Sequence, residues 1–173
     1  MTHLYPSVAD LAGHNGGRRA WDRAVEALSA LSPQDPPHAR SVGDSVTYWV
    51  TGADALSRPE LVAHRMYQTL LHPLTGDLEL TVAGRSGLEV LARYRDTDDV
   101  ELLDGSGAGS ALRVPVGAVA LVGLDEGWRV APGSVRVAVL RLTGEAPPAR
   151  PVAQVAPGVP ARATAPHPPG GAA

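Results

Sequence analysis

The sequence contains no cysteine, no lysine, no isoleucine and no phenylalanine. Without cysteine there is no disulfide, no thiolate metal ligand and no cysteine nucleophile. Without lysine, Schiff-base chemistry and the phosphate-binding lysine of a P-loop are excluded. All 15 cationic side chains are arginine. Aromatic residues make up only 4% of the 173 residues, so a core has to be built from valine, leucine and alanine. No apolar run approaches the ~18 residues that span a bilayer. The N-terminal stretch lacks a basic segment followed by an apolar one, so no secretion signal is read and a cytoplasmic location is expected. The formal net charge of −3 gives no global attraction to nucleic acid or to an anionic membrane surface, and neither is expected as a partner.

What is present divides into three regions. Residues 1–40 read as a helical segment packed on the rest. Ser7 is placed to cap a short helix, with Asp10 in the capping-box position. Trp21, Ala24, Val25, Leu28 and Leu31 then recur at helical spacing and form one apolar face, which Pro33 and the Pro36-Pro37 pair terminate. Residues 41–144 switch to a period of two. Strands are expected at 45–51, 62–72, 77–83, 88–95, 99–103, 110–114, 118–124 and 134–142, separated by glycine-rich turns, a pattern that predicts an antiparallel sandwich or barrel. Residues 145–173 hold eight of the 16 prolines and show no hydrophobic period, which predicts a disordered tail.

Few motifs carry chemistry. His64 and His72 fall in one expected strand, which would put them roughly 26 Å apart, too far to share a metal unless the strand bends sharply. The acidic run Asp96, Asp98, Asp99, Glu101, Asp104 lacks the spacing of a calcium loop and reads as a solvated strand edge. Ser86 and Ser106 do not stand in a nucleophile elbow.

The ordered landmarks from about residue 25 to 144 resemble the YhcH/YjgK/YiaL family. They are Gly43-Asp44, Thr51, His64-Arg65-x-Tyr67, Leu74-Thr75-Gly76-Asp77, Tyr94 to Glu101, Leu112 to Leu121, and the strand from Val135-Arg136 to Arg141-Leu142. The family includes the small accessory subunit of evolved β-galactosidase and proteins of sialic-acid catabolism. The resemblance implies a mainly β, cupin-like double-stranded β-helix or antiparallel barrel with an N-terminal helical segment. It also implies a role in sugar metabolism, with anomer interconversion as the best-defined activity, a small-molecule sugar as partner and homodimerisation.

On that resemblance His64 is the acid/base and the one retained metal ligand. Arg65, Tyr67 and Asp77 become orienting or binding groups. The family's other ligand positions read Val62, Thr69, Leu78 and Gly127 here, and Asp77 replaces a glutamate. Two readings follow. One is a sugar-handling enzyme, with or without a divalent metal. The other is a metal-free binding or accessory protein that keeps the barrel and not the site, with the apolar Val119, Leu121 and Trp128 region as a hydrophobic pocket or dimer face.

Overall fold

The computed structural model describes residues 1–15 and 17–143. The proline-rich segment 145–173, read above as a disordered tail, lies outside the described residues. The first helix, α1 (Val8–Asn15), starts as its sequence dictates. The Ser7 hydroxyl accepts the Asp10 N–H at 3.1 Å and donates to the Asp10 carboxylate at 2.6 Å. The second, α2 (Arg19–Ala30), buries Trp21, Ala24, Ala27 and Leu28, with Val25 and Leu31 half-buried at the margin of that face. Before them a short strand, β1 (His3–Tyr5), joins a sheet, so residues 1–40 contribute more than the helical segment expected.

The remaining strands run in chain order as β2 (Arg40–Val42), β3 (Val46–Gly52), β4 (Leu61–Ala63), β5 (Tyr67–Pro73), β6 (Leu78–Gly84), β7 (Val90–Arg95) and β8 (Val100–Leu103), then β9 (Ser110–Val114), β10 (Val119–Val122), β11 (Glu126–Val130) and β12 (Arg136–Thr143). One six-stranded sheet has the order β1-β10-β5-β12-β3-β2 and the other β7-β8-β4-β11-β6-β9. Eight of these strands pair as β3 with β12, β4 with β11, β5 with β10 and β6 with β9, all antiparallel. That nesting of outer around inner pairs, with consecutive strands alternating between sheets, is a jelly roll, the double-stranded β-helix expected. The β7–β8 hairpin is inserted between β6 and β9 and lies on the far edge of its sheet, against β4.

Two strand expectations are corrected. Residues 62–72 are not one strand. The chain leaves one sheet at Ala63 and enters the other at Tyr67, so β4 and β5 belong to different sheets. His64 therefore lies in the crossover and His72 in β5, and the straight-strand separation does not apply. Residues 126–130 form β11, a central strand missed because Asp125-Glu126-Gly127 reads as a turn.

Alternation sorts the core into two layers. Val46, Val50, Leu70, Val119, Leu121, Leu140 and Leu142 pack beneath the helices. Leu71, Ala120, Val137 and Val139 from the first sheet face Val62, Leu80, Val114, Trp128 and Val130 from the second. Val119 and Leu121 thus lie in one layer and Trp128 in the other, so they form no common surface patch. Trp21 anchors the helical layer at 6% exposure. Trp21→Ala is expected to destabilise the fold by ~3–5 kcal/mol, read by chemical denaturation.

Candidate functional site

The β4–β5 crossover needs a partner for its backbone, because residues 64–67 leave the ladder of one sheet before joining the next. The turn of the inserted hairpin supplies it. Asp99 adopts a left-handed conformation (φ 52°), which aspartate tolerates better than most residues. Its carboxylate accepts the N–H of Arg65 at 2.8 Å, of Met66 at 3.1 and 3.2 Å, and of Tyr67 at 3.2 Å. The Tyr94 hydroxyl adds a fourth donor at 2.8 Å. Burial and this bond to a carboxylate push the Tyr94 phenol up to about 12.

The acidic run is a solvated edge only in part, at Asp96, Asp98 and Asp104. Asp99 and Glu101 are buried, at 3% and 5% exposure. Glu101 lies between the guanidinium groups of Arg65, at 2.8 Å, and Arg85. Burial alone would raise its pKa, but the two arginines outweigh it and hold the carboxyl below the usual range.

His64 points inward from the crossover. Its Nδ1 donates to the Asp99 carbonyl at 2.5 Å, its ring lies 6.3 Å from that of Trp128, and its Nε2 is buried without a partner among the described residues. Burial holds the imidazole below its ordinary pKa, and Arg141 and Arg58 push the same way against the hydrogen bond and charge of Asp99. His64 is thus neutral near pH 7, with the lone pair on Nε2.

A cavity of about 630 Å³ opens at this end of the roll, between the β2–β3 edge of one sheet and the β7–β8 turn of the other. Trp49, Thr47, Tyr67 and Arg141 line it from the sheet, and Asp96 and Asp98 from the turn. The inner face of this sheet changes character along its strands. Val139, Trp49 and Leu71 make an apolar row, and the next row is Thr47, Arg141 and Thr69. Arg141 donates to the Asp98 carbonyl at 3.1 Å and lies 5.6 Å over the Trp49 ring. Among the described residues it has no carboxylate within ion-pair distance. Burial lowers its pKa, against the opposing charges of Asp99, Tyr67 and Asp98.

The structure separates the residues singled out in the sequence. Tyr67 lines the cavity. His64 lies behind it, at 4% exposure. Arg65 turns away to Glu101 and stacks 4.3 Å over the Tyr94 ring. Asp77 lies beyond the opposite end of β5, where it accepts from Arg113 at 2.7 Å and from the Val116 N–H at 2.9 Å. Trp49 and Arg141 were missed. Their signal was the alternation of β12, which places a cation on the core-facing side with Val137 and Val139.

The residues do not fit a metal. Val62, Thr69, Leu78 and Gly127 bring no carboxylate or imidazole, His64 Nδ1 is engaged, and both Asp99 oxygens already accept backbone N–H groups. Among the described residues no three His, Cys, Asp or Glu side chains are grouped to hold an ion. Among the same residues no helix is long and apolar enough to cross a membrane.

No protein-family model matches the sequence. Among solved structures the chain is similar to a cupin protein from Bacteroides fragilis, at 13% identity and a TM-score of 0.28, over 68% of this chain and 84% of that one.

Two outcomes test this geometry. Asp99→Ala strips three partly buried N–H groups and the Tyr94 hydroxyl of their acceptor and is expected to cost roughly 3 kcal/mol in denaturant unfolding. His64, whose folded pKa lies below its unfolded value near 6.5, binds its proton more readily when unfolded. Stability is therefore expected to fall as pH drops below about 6.5, towards the folded pKa. His64→Gln should flatten that part of a melting-temperature profile, and an unchanged slope would remove His64 from the account.

Proposed function

We propose that this chain is a divergent member of the YhcH/YjgK/YiaL family that binds a sugar in the end-of-roll cavity, as a metal-free binding or accessory protein. The observation that carries this reading is the cavity lining. Trp49 and Tyr67 offer aromatic surface, and Thr47, Arg141 and Asp96 offer polar groups around it. Aromatic surface flanked by a few convergent hydrogen-bonding groups is how small polyhydroxylated molecules are held. The cavity volume suits a mono- or disaccharide.

A second reading keeps catalysis. It is favoured by the neutral His64, whose Nε2 is a free acceptor and matches a general base at an anomeric hydroxyl. Against it stands the burial of His64 behind the cavity rather than in its lining. Proton transfer at a sugar requires the base within about 3 Å of the proton or one water away.

Ligand-observed NMR with galactose, lactose and N-acetylneuraminate separates these readings. Saturation transfer to at least one sugar is expected, with Trp49→Ala weakening binding about tenfold, as for a central aromatic anchor. No transfer to any of the three sinks the sugar reading. Anomer exchange accelerated by the protein and lost in His64→Ala would replace binding with catalysis.

A further inference from the structure

We infer that the chain covers its own end-of-roll cavity: the proline-arginine segment 147–151 docks there, with its prolines on Trp49 and Tyr67 and Arg150 on Asp96. This goes beyond the sugar reading and stands without it, since a sugar that uses the same cavity has to displace the segment.

The fold delivers the segment to the cavity. β12 ends at Thr143, which pairs with Tyr67 and donates its N–H to the Ser45 carbonyl at 2.9 Å. Tyr67 lines the cavity. Thr143 is the next residue but one after Arg141, so both stand on the cavity side of the strand. The described chain therefore stops at the cavity rim. Gly144 comes next in sequence, the residue type that reverses a chain most readily. From there to Arg150 is about 20 Å of extended polyproline chain. Trp49 pairs with Val139, roughly 13 Å back along β12 from Thr143. A reversed segment covers that span with length to spare.

The chemistry matches on both sides. The segment reads Pro147-Pro148-Ala149-Arg150-Pro151, and its Pro-Ala-Arg core recurs at Pro160-Ala161-Arg162. Consecutive prolines favour the polyproline II conformation, which has no internal hydrogen bonds and leaves its carbonyls open. Aromatic-lined grooves take such segments because little ordering entropy remains to be lost. Trp49 and Tyr67 are that aromatic lining. Arg141 already donates to the Asp98 carbonyl and, among the described residues, has no carboxylate within ion-pair distance. Its remaining N–H groups suit a second carbonyl. The lining sets Asp96, Asp98 and Asp99 against this one arginine, so the cavity favours a cation. Asp98 pairs with Arg95 at 2.6 Å, and Asp99 is taken up by backbone N–H groups. Asp96 is exposed and, among the described residues, has no ion pair, which leaves it for Arg150. An exposed pair is weak alone. The short tether compensates, because it holds the segment at an effective concentration in the millimolar range. Three buried polar atoms without a partner among the described residues, His64 Nε2, Thr69 Oγ1 and Trp128 Nε1, lie outside the lining and take no part.

Paramagnetic relaxation in the full chain tests this. The sequence has no cysteine, so Ala153→Cys takes a single nitroxide. The Trp49 indole N–H signal is expected to lose most of its intensity relative to the reduced label, while that of Trp21, beneath the helices, keeps its own. Arg150→Glu, and Pro147→Ala with Pro148→Ala, should each restore the Trp49 signal at an unchanged melting temperature. Asp96→Arg should restore it too, and Asp96→Arg combined with Arg150→Asp should broaden it again. No broadening of Trp49, or broadening that survives both Arg150→Glu and the double proline variant, overturns the docking. The sugars galactose, lactose and N-acetylneuraminate separate this from the sugar reading. Broadening that depends on Arg150, with no saturation transfer to any sugar even in the double proline variant, keeps the docking and overturns the sugar. Saturation transfer without broadening keeps the sugar and overturns the docking. Where both are seen, the double proline variant is expected to bind the sugar several-fold tighter, and equal affinity keeps the docking and overturns the sugar's seat in this cavity.

Discussion

The carboxylate of Asp99 holds the crossover between the two sheets, and the end of the roll is arranged around it. A double-stranded β-helix must pass its chain from sheet to sheet at each corner, and each passage leaves backbone donors outside any ladder. Here the corner at residues 64–67 hands its donors to a side chain from the inserted β7–β8 hairpin. The consequence reaches past the corner. The same turn offers its Asp98 and Asp99 carbonyls to Arg141 and His64, so it fixes the backbone, the cation and the imidazole together. Glu101, two residues on, ties Arg65 and Arg85 on the outer side of the same hairpin.

Local patterning made much of the fold legible. Ser7 with Asp10 marks a helix start, Trp21 to Leu31 marks a buried helical face, and the period of two from residue 45 marks strands. Those features depend on neighbours within a turn or a pleat. The features that were missed depend on residues far apart in sequence. The break in 62–72 is fixed by Asp99, some thirty residues on, and β11 is recognisable as a strand only because β4 and β6 lie on either side. Burial of Asp99 and Glu101 inverted the meaning of an acidic run for the same reason. Acidic residues in sequence look solvated until the donors that satisfy them come from elsewhere.

The candidate site was legible to a lesser degree. Tyr67 lines the cavity and His64 lies just behind it, because both sit at the crossover that the sequence motif spans. Arg65, next in sequence, faces the other way, where Glu101 and the Tyr94 ring take its guanidinium. Asp77 failed to join them because β5, seven residues long, carries the chain about 20 Å to the opposite end of the roll. Trp49 and Arg141 come from strands outside the motif and meet it only through sheet pairing.

The interior carries a cation at one end only among the described residues, and this asymmetry bears on function. Along β12 the inward positions read Val137, Val139, Arg141, and the strands on either side follow suit with Trp49 giving way to Thr47 and Leu71 to Thr69. An apolar residue at 141 would satisfy the packing without desolvating a charge. The positions that the resemblance marks as metal ligands carry Val62, Thr69, Leu78 and Gly127, none of which buries a charge. A guanidinium retained in the same interior runs against that trend. Its retention beside three unsatisfied polar atoms is a stability cost that packing alone does not explain, and such costs concentrate where a protein binds.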